Sequence, residues 1–256
     1  AGDMDFANVL PQLNAKPTLW MAGDSIMQSY APGDKPVTGW GEMLHTLAQG
    51  DAVCQTAHRA DCPFPQEMRY ELPGLVIDNC AMAGRSSKTF REEGRLDDIA
   101  AHIRPGDLLG VSFGHNDANH NKAERYVSAD AFGESLRPFW DAARRHGAVC
   151  LFASPVAMRE FDESGVCHPS FAAYREAMRA FAAKVGAPFI DLGAATAAAN
   201  TAFGAERCKA RYMWVGTKRD NAHQQNAGAC RTAQAFVQQL LQDTTPALDV
   251  LRANFK

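Results

Sequence analysis

Three polar side chains in the sequence have the types and spacing needed for acyl transfer by a serine. Ser25 follows Gly23-Asp24, and the segment Asp220-Asn221-Ala222-His223 places a carboxylate three residues before an imidazole. A serine hydroxyl is a poor nucleophile until a base removes its proton, and an imidazole does this near neutral pH when a carboxylate fixes its tautomer. The sequence therefore predicts a catalytic triad of Ser25, His223 and Asp220, with the last two held on one short loop or turn.

Acyl transfer also needs donors for the negative charge that develops on the ester carbonyl oxygen. Removing one such donor typically costs ~2.7–4 kcal/mol of transition-state stabilisation. The backbone N–H groups of Ser25 and Gly84 and the side-chain amide of Asn116 can supply three donors. These residues are the predicted oxyanion hole.

The apolar pattern predicts the elements that must bring these residues together. Five strand-length apolar runs are bounded by Gly, Pro or Asp: Thr18–Ala22, Leu75–Cys80, Asp107–Phe113, Ala148–Ala153 and Pro188–Leu192. Helical patterns occupy Trp40–Ala48, Arg95–His102, Ala131–His146, Pro169–Val185 and Ala227–Gln242. This alternation predicts an α/β fold with a parallel sheet and helices on both faces, whose site lies beyond the carboxyl ends of the strands. Residues 50–73 and 200–225 show no clear periodicity.

Composition limits the classes of function. The chain has 256 residues, is 46% hydrophobic and 21% charged, and carries a formal net charge of -3. We expect one domain over residues 1–256, because this length is near the upper size of a single core. Without a basic stripe or an apolar run of ~18 residues, neither a nucleic-acid nor a membrane partner is expected. No cysteine and histidine spacing is typical of zinc, so we expect no metal and no cofactor.

The seven cysteines and the N-terminal residues bear on the location of the protein. Polar surroundings suggest the disulfides Cys54–Cys62 and Cys208–Cys230, each worth roughly 2–4 kcal/mol, with free thiols in a cytoplasmic protein as the alternative. The start Ala1-Gly2-Asp3 is typical of signal-peptide cleavage, although a trimmed expression product would begin in the same way. We expect a secreted or periplasmic protein.

The motifs together resemble the four sequence blocks of the SGNH (GDSL) hydrolases. The segments that carry this resemblance are Gly23-Asp24-Ser25, Gly84, Gly114-His115-Asn116 and Asp220-Asn221-Ala222-His223. The surrounding residues, such as Asn79–Phe90 and Ile190-Asp191-Leu192, are similar to the rhamnogalacturonan acetylesterase branch. The resemblance implies a three-layer α/β/α, flavodoxin-like fold with a five-stranded parallel sheet. It also implies the triad and oxyanion hole named above, and removal of O-acetyl groups from plant cell-wall polysaccharide.

Two other motifs suggest different chemistry. Gly110-Val111-Ser112-Phe113-Gly114 matches the nucleophile elbow of α/β-hydrolases, but that elbow needs a helix directly after the serine. Ser112 lies in an apolar run followed by a polar loop, so we interpret it as a strand residue. His115, Asp117 and His120 are possible metal ligands; we favour a hydrogen-bonded loop that positions Asn116.

Three residues are candidates for binding substrate. Arg85 is next to Gly84 and suits a substrate carboxylate such as that of a galacturonate backbone. His115 and Trp214 are candidates for lining a sugar-binding cleft, since Trp214 lies in the irregular stretch before Asp220.

The leading hypothesis is a metal-independent carbohydrate O-acetylesterase that acts on an acetylated oligo- or polysaccharide through an acetyl-enzyme. An SGNH lipase or thioesterase acting on short acyl esters is the alternative enzyme, because a fold does not determine its substrate. A non-catalytic glycan-binding relative is the alternative outside catalysis. An apolar cleft beside the serine would favour lipid, whereas a shallow polar one with aromatic side chains would favour sugar.

Overall fold

The fold is built on a sheet whose central strands run parallel. The computed structural model describes residues 16–50 and 53–256, so the Ala1-Gly2-Asp3 start lies outside the described residues. The strands are β1 Thr18–Gly23, β2 Gln55–Ala57, β3 Met68–Glu71, β4 Val76–Asn79, β5 Leu108–Ser112, β6 Val149–Ala153, β7 Phe189–Ile190, β8 Tyr212–Met213 and β9 Asp220–Gln224. Seven of them form the main sheet in the order β2-β3-β4-β1-β5-β6-β7, and β8 pairs with β9.

The five predicted strands are the parallel part of this sheet. The order β4-β1-β5-β6-β7 is the flavodoxin-like arrangement, and each pair within it is parallel. This confirms the predicted fold class. The sheet has seven strands rather than five because β2 and β3 add an antiparallel pair along the free edge of β4.

Helices cover both faces of the sheet. They are α1 Trp40–Met43, α2 Ser87–Glu92, α3 Arg95–His102, α4 Ala129–Ser135, α5 Arg137–Arg145, α6 Ala172–Val185, α7 Leu192–Phe203, α8 Asn226–Gln242 and α9 Asp249–Arg252. Strand β1 shows how the layers form, because its successive side chains point to opposite faces. Leu19 and Met21 join the core under α1 and α8, whereas Trp20 and Ala22 join the core under α2 to α6.

The predicted helix Ala131–His146 is instead two helices, α4 and α5. Pro138 lies in the first turn of α5 and has no N–H to continue a helix from α4. The predicted helix Trp40–Ala48 is α-helical only to Met43 and continues as a 3₁₀ helix over Leu44–Leu47. Within the described residues, no helix combines the length and the apolar character needed to cross a bilayer.

The predicted disulfides are not present. All seven cysteines are free thiols. Cys208 is buried with its sulfur 3.5 Å from the carbonyl oxygen of Asn200, whereas Cys230 lies on α8 with its sulfur 3.7 Å from Asn226 Oδ1. Cys54 and Cys62 likewise direct their sulfurs to nearby backbone oxygens, those of Gln55 and Phe64. The pairing prediction is therefore wrong.

Candidate active site

Ser25 lies in a tight turn directly after the central strand β1. The backbone carbonyl of Asp24 accepts the N–H groups of Met27 and Gln28, both at 3.1 Å, and the buried Asp24 Oδ1 accepts the Ile26 N–H at 3.0 Å. Gly23, the last residue of β1, has no side chain to crowd the next strand, because a Cβ there would lie 3.0 Å from the backbone oxygen of Ser112. Asp24 therefore shapes the turn that presents the serine.

The structure brings the three predicted triad residues into one hydrogen-bonded chain. His223 Nε2 lies 2.8 Å from Ser25 Oγ, across 198 residues of sequence, and His223 Nδ1 lies 2.8 Å from Asp220 Oδ2. The other carboxylate oxygen of Asp220 accepts the backbone N–H groups of Ala222 at 2.8 Å and of His223 at 3.0 Å. Burial alone would raise the pKa of Asp220, but these two bonds and the adjacent imidazole lower it overall. Asp220 is therefore held ionised and oriented toward the imidazole.

The triad carboxylate and imidazole lie on a strand rather than on a loop. Strand β9 carries both and pairs with β8 in the small antiparallel sheet. Asn221 anchors this strand, because its side-chain oxygen accepts Trp214 Nε1 at 2.8 Å and its backbone carbonyl accepts the Arg159 N–H at 2.8 Å. Trp214 thus supports β9, and the structure does not place it among the residues that line the cavity beside Ser25.

An open cavity of about 310 Å³ lies against the triad. It is lined by five of the predicted residues: Ser25, Gly84, His115, Asn116 and His223. Arg125, Met158 and Phe171 also line it, and the sequence did not predict them. These three come from loops outside the four motifs, so only the folded chain reveals them. The volume falls at the lower end of the range typical of small-molecule sites.

The predicted oxyanion donors meet at one wall of this cavity. Gly84 adopts a left-handed backbone with φ of 77°, which suits glycine. Asn116 Nδ2 donates to the Arg85 carbonyl at 3.0 Å, and Asn116 Oδ1 accepts from Arg125 Nη1 at 3.1 Å. The first of these bonds uses one of the two Nδ2 hydrogens, so the second hydrogen can serve an incoming oxyanion.

The loop after β5 is held by hydrogen bonds to the protein. His115 Nε2 lies 3.0 Å from the Val156 carbonyl oxygen, and burial lowers the pKa of His115 to about 4, so its neutral ring donates this bond. Asp117 Oδ2 accepts both the N–H and the hydroxyl of Ser87, at 3.0 and 2.5 Å. Among the residues that the structure describes, no group of three or more His, Cys, Asp or Glu side chains is arranged to hold a metal ion.

Arg85 lies away from the predicted substrate position, whereas Ser112 lies in a strand as predicted. The Arg85 guanidinium pairs with Glu93, with Nε 3.0 Å from Oε1, and Nη1 donates to the Ala83 carbonyl at 2.8 Å. These bonds keep the Arg85 guanidinium out of the cavity, and Arg125 is the arginine that lines it. Ser112 is the last residue of β5, is followed by a turn rather than a helix, and is buried. The chain at Ser112 therefore lacks the geometry of a nucleophile elbow.

The sequence is similar to known proteins along most of its length. The model of the GDSL-like lipase/acylhydrolase family matches residues 21–229. Rhamnogalacturonan acetylesterase RhgT of Bacillus subtilis is 31% identical over 242 residues, which cover 91% of this chain and 93% of that protein. The probable rhamnogalacturonan acetylesterase YesY of the same bacterium is 34% identical over 212 residues, covering 82% and 86%.

Solved structures show the same fold. The crystal structure of Bacillus subtilis YxiM has a TM-score of 0.74 at 26% identity and covers 91% of this chain, which spans 58% of that chain. The acetylxylan esterase Axe2 of Geobacillus stearothermophilus has a TM-score of 0.60 at 16% identity, covering 89% and 95%.

Proposed function

The chain belongs to the GDSL-like lipase/acylhydrolase family, and on that premise we propose that it is a serine esterase that removes O-acetyl groups from a carbohydrate. The observation that carries the proposal is the chain of two 2.8 Å contacts from Ser25 through His223 to Asp220. The acetylated carbohydrate is supported by the rhamnogalacturonan acetylesterases among its relatives. A polysaccharide of this kind is met outside the cell, so a secreted or periplasmic location belongs to the same proposal.

The acylation step follows from the contacts of Ser25. Its Oγ attacks the acetyl carbonyl carbon while His223 Nε2 accepts the hydroxyl proton. Asp220 holds the Nδ1–H of the ring and stabilises the imidazolium that forms. The bond between the carbonyl carbon and the sugar oxygen then breaks, and His223 returns the proton to that oxygen as the free sugar hydroxyl leaves.

Deacylation uses the same side chains with water in place of the sugar. Water attacks the acetyl-enzyme carbonyl while His223 accepts a proton, and acetate leaves as Ser25 Oγ recovers a proton from the imidazolium. In both steps the backbone N–H groups of Ser25 and Gly84 and the Asn116 amide donate to the carbonyl oxygen as it becomes negative.

The cavity wall favours a sugar ester over a lipid ester. Asn116, His115 and the Arg125 guanidinium provide polar groups, and Phe171 provides one aromatic face that packs on His115 with ring centroids 4.7 Å apart. Ile26, Met158 and Phe171 line the same cavity, so its wall combines polar groups with apolar contacts, which suits a sugar ring that carries both hydroxyls and an acetyl group. A long acyl chain would need a more extended apolar surface than this wall offers.

The test compares hydrolysis of p-nitrophenyl acetate by the natural chain, Ser25→Ala and Ser112→Ala. Loss of a triad serine should lower kcat by roughly 10⁶-fold, whereas Ser112→Ala should stay folded and active. Acetate release from acetylated rhamnogalacturonan and acetylated xylan, measured beside hydrolysis of p-nitrophenyl decanoate, then ranks the substrates. An active Ser25→Ala protein would refute the assigned nucleophile, and faster decanoate hydrolysis would make the chain a lipase.

A further inference from the structure

We propose that Arg125 is a positioning residue that locks the Asn116 amide with its NH₂ group toward the oxyanion hole. This inference rests on the proposed esterase function and adds a residue outside the four sequence motifs. Arg125 Nη1 donates to Asn116 Oδ1 at 3.1 Å, and its guanidinium lines the cavity beside Ser25.

The two partners of Asn116 permit only one orientation of its amide. An asparagine amide has an accepting oxygen at one end and a donating NH₂ group at the other. A guanidinium can only donate, and the Arg85 backbone carbonyl can only accept. Rotating the amide by half a turn would place NH₂ against the guanidinium and oxygen against the carbonyl oxygen. Both favourable contacts would become repulsive, so Arg125 and the Arg85 carbonyl together exclude the orientation that offers no donor.

The same guanidinium lies over the second predicted oxyanion donor. A Cβ built on Gly84 would lie 3.6 Å from Arg125 Nη1 and 3.7 Å from Nη2. The guanidinium therefore packs against the Gly84 backbone while it donates to the Asn116 amide, and these two contacts together fix its position.

The backbone around Arg125 is tied to the loop that carries Asn116. The Val127 N–H donates to the Asp117 carbonyl at 3.0 Å, and the Arg125 N–H donates to the Lys122 carbonyl at 3.1 Å. The Arg125 side chain is 26% exposed, and its ion pair with the exposed Glu124 is long at 3.7 Å. Exposed pairs of this kind contribute little, so the bond to Asn116 dominates the placement of the guanidinium.

The first experiment measures kcat and KM on p-nitrophenyl acetate, a neutral ester, for Arg125→Met, Arg125→Lys, Asn116→Ala and the double variant Arg125→Met with Asn116→Ala. Arg125→Met should lower kcat by about 10- to 100-fold with little change in KM, less than the ~10²- to 10³-fold loss expected on removing the Asn116 donor. Arg125→Lys should recover part of this loss. The double variant should be no slower than Asn116→Ala, because Arg125 acts through that amide.

Arg145→Met is the matched control, since Arg145 is an exposed arginine on α5; it should keep the natural kcat. If Arg125→Met does not fold, Arg125→Gln, which keeps an amide donor, enters the same comparison. An unchanged kcat on the neutral ester, with a raised KM only on acidic acetylated oligosaccharides, would mean that Arg125 binds substrate and would overturn the proposal. Losses that multiply in the double variant would overturn it as well.

The orientation is also measurable without turnover, which separates this inference from the esterase function. In ¹H–¹⁵N spectra, the Asn116 Nδ2 signals, assigned by their absence in Asn116→Ala, should shift and exchange faster with water in Arg125→Met than in Arg145→Met. Identical Nδ2 signals in the two arginine variants would refute the lock even if Ser25→Ala proves the serine essential. An inactive natural chain whose Nδ2 signals respond to Arg125→Met would instead refute only the proposed function.

Discussion

Replacing Asp24 by asparagine should change how the stability of the protein depends on pH. Asp24 is 3% exposed, and its Oδ1 accepts the Ile26 N–H at 3.0 Å, a bond that an asparagine oxygen can also accept. Burial, together with a smaller contribution from the negative charge of Asp117, raises the pKa of Asp24 from 3.8 to about 7. The carboxyl beside the nucleophile therefore keeps its proton in the folded chain at pH values where the unfolded chain has lost it.

The sign of the effect follows from proton binding. Between pH 4 and 7 the folded chain binds more protons at Asp24 than the unfolded chain does, so the free energy of unfolding falls as the pH rises. The contribution is fully present below pH 3.8 and is lost by about pH 7. At 1.36 kcal/mol for each pKa unit, a difference of about three units gives about 4 kcal/mol. Asparagine cannot ionise, so Asp24→Asn should gain up to this amount on the natural chain as the pH rises.

Urea unfolding at pH 4.5, 5.5, 6.5 and 8, followed by circular dichroism, measures this difference. We expect the natural chain and Asp24→Asn to have similar stability at pH 4.5 and to diverge toward pH 8, with the variant more stable. Asp34→Asn removes an exposed aspartate nearby in the sequence and serves as the matched control. If the free energies of unfolding of the natural chain and Asp24→Asn changed in parallel from pH 4.5 to 8, the argument from burial would be refuted.

Three further substitutions test other parts of the structure. Phe171 has a left-handed backbone with φ of 54°, which glycine adopts without strain and alanine does not. The free energy of unfolding in urea should therefore be about 0.5–1 kcal/mol higher for Phe171→Gly than for Phe171→Ala, and equal values would contradict the inferred strain. Asp220→Asn should lower kcat on p-nitrophenyl acetate by about 10⁴-fold without lowering the melting temperature, and a loss below tenfold would speak against its triad role. Arg59→Met should lower the free energy of unfolding by up to about 3–5 kcal/mol, because Asp98, 2.6 Å from the guanidinium, would lose its arginine partner and the buried Asp78 would keep only Arg69; a melting curve like that of the natural chain would disprove this.

The central strands could be predicted because each is an apolar run buried on both faces. Strand β1, for example, is buried along its whole length. The edge strands β2 and β3 could not, because β2 is exposed throughout and its residues do not alternate. Two helices could not be predicted either. Helix α2 has only six residues, which are too few to show a helical period, and α7 is rich in alanine, so its faces differ little in hydrophobicity.

The site could be predicted as far as its residues follow strands or lie close together in sequence. Ser25 and Asn116 follow β1 and β5, whose carboxyl ends meet at one sheet edge, and Asp220 lies three residues from His223. The placement of Arg125 depends on how the polar loop after Asp117 folds back, which no local pattern encodes. The same limit explains Arg85: the sequence placed it beside Gly84, but an ion pair with Glu93 turns its guanidinium away.

The contact between Ser25 and His223 has a consequence for the newly made chain. The two residues are 198 positions apart, so at about 5–20 residues per second the nucleophile is synthesised roughly 10–40 s before its base. An incomplete chain cannot have the proposed activity, whatever part of the sheet it has already formed. Return of ester hydrolysis during refolding would therefore time the docking of strand β9 against the turn that carries Ser25.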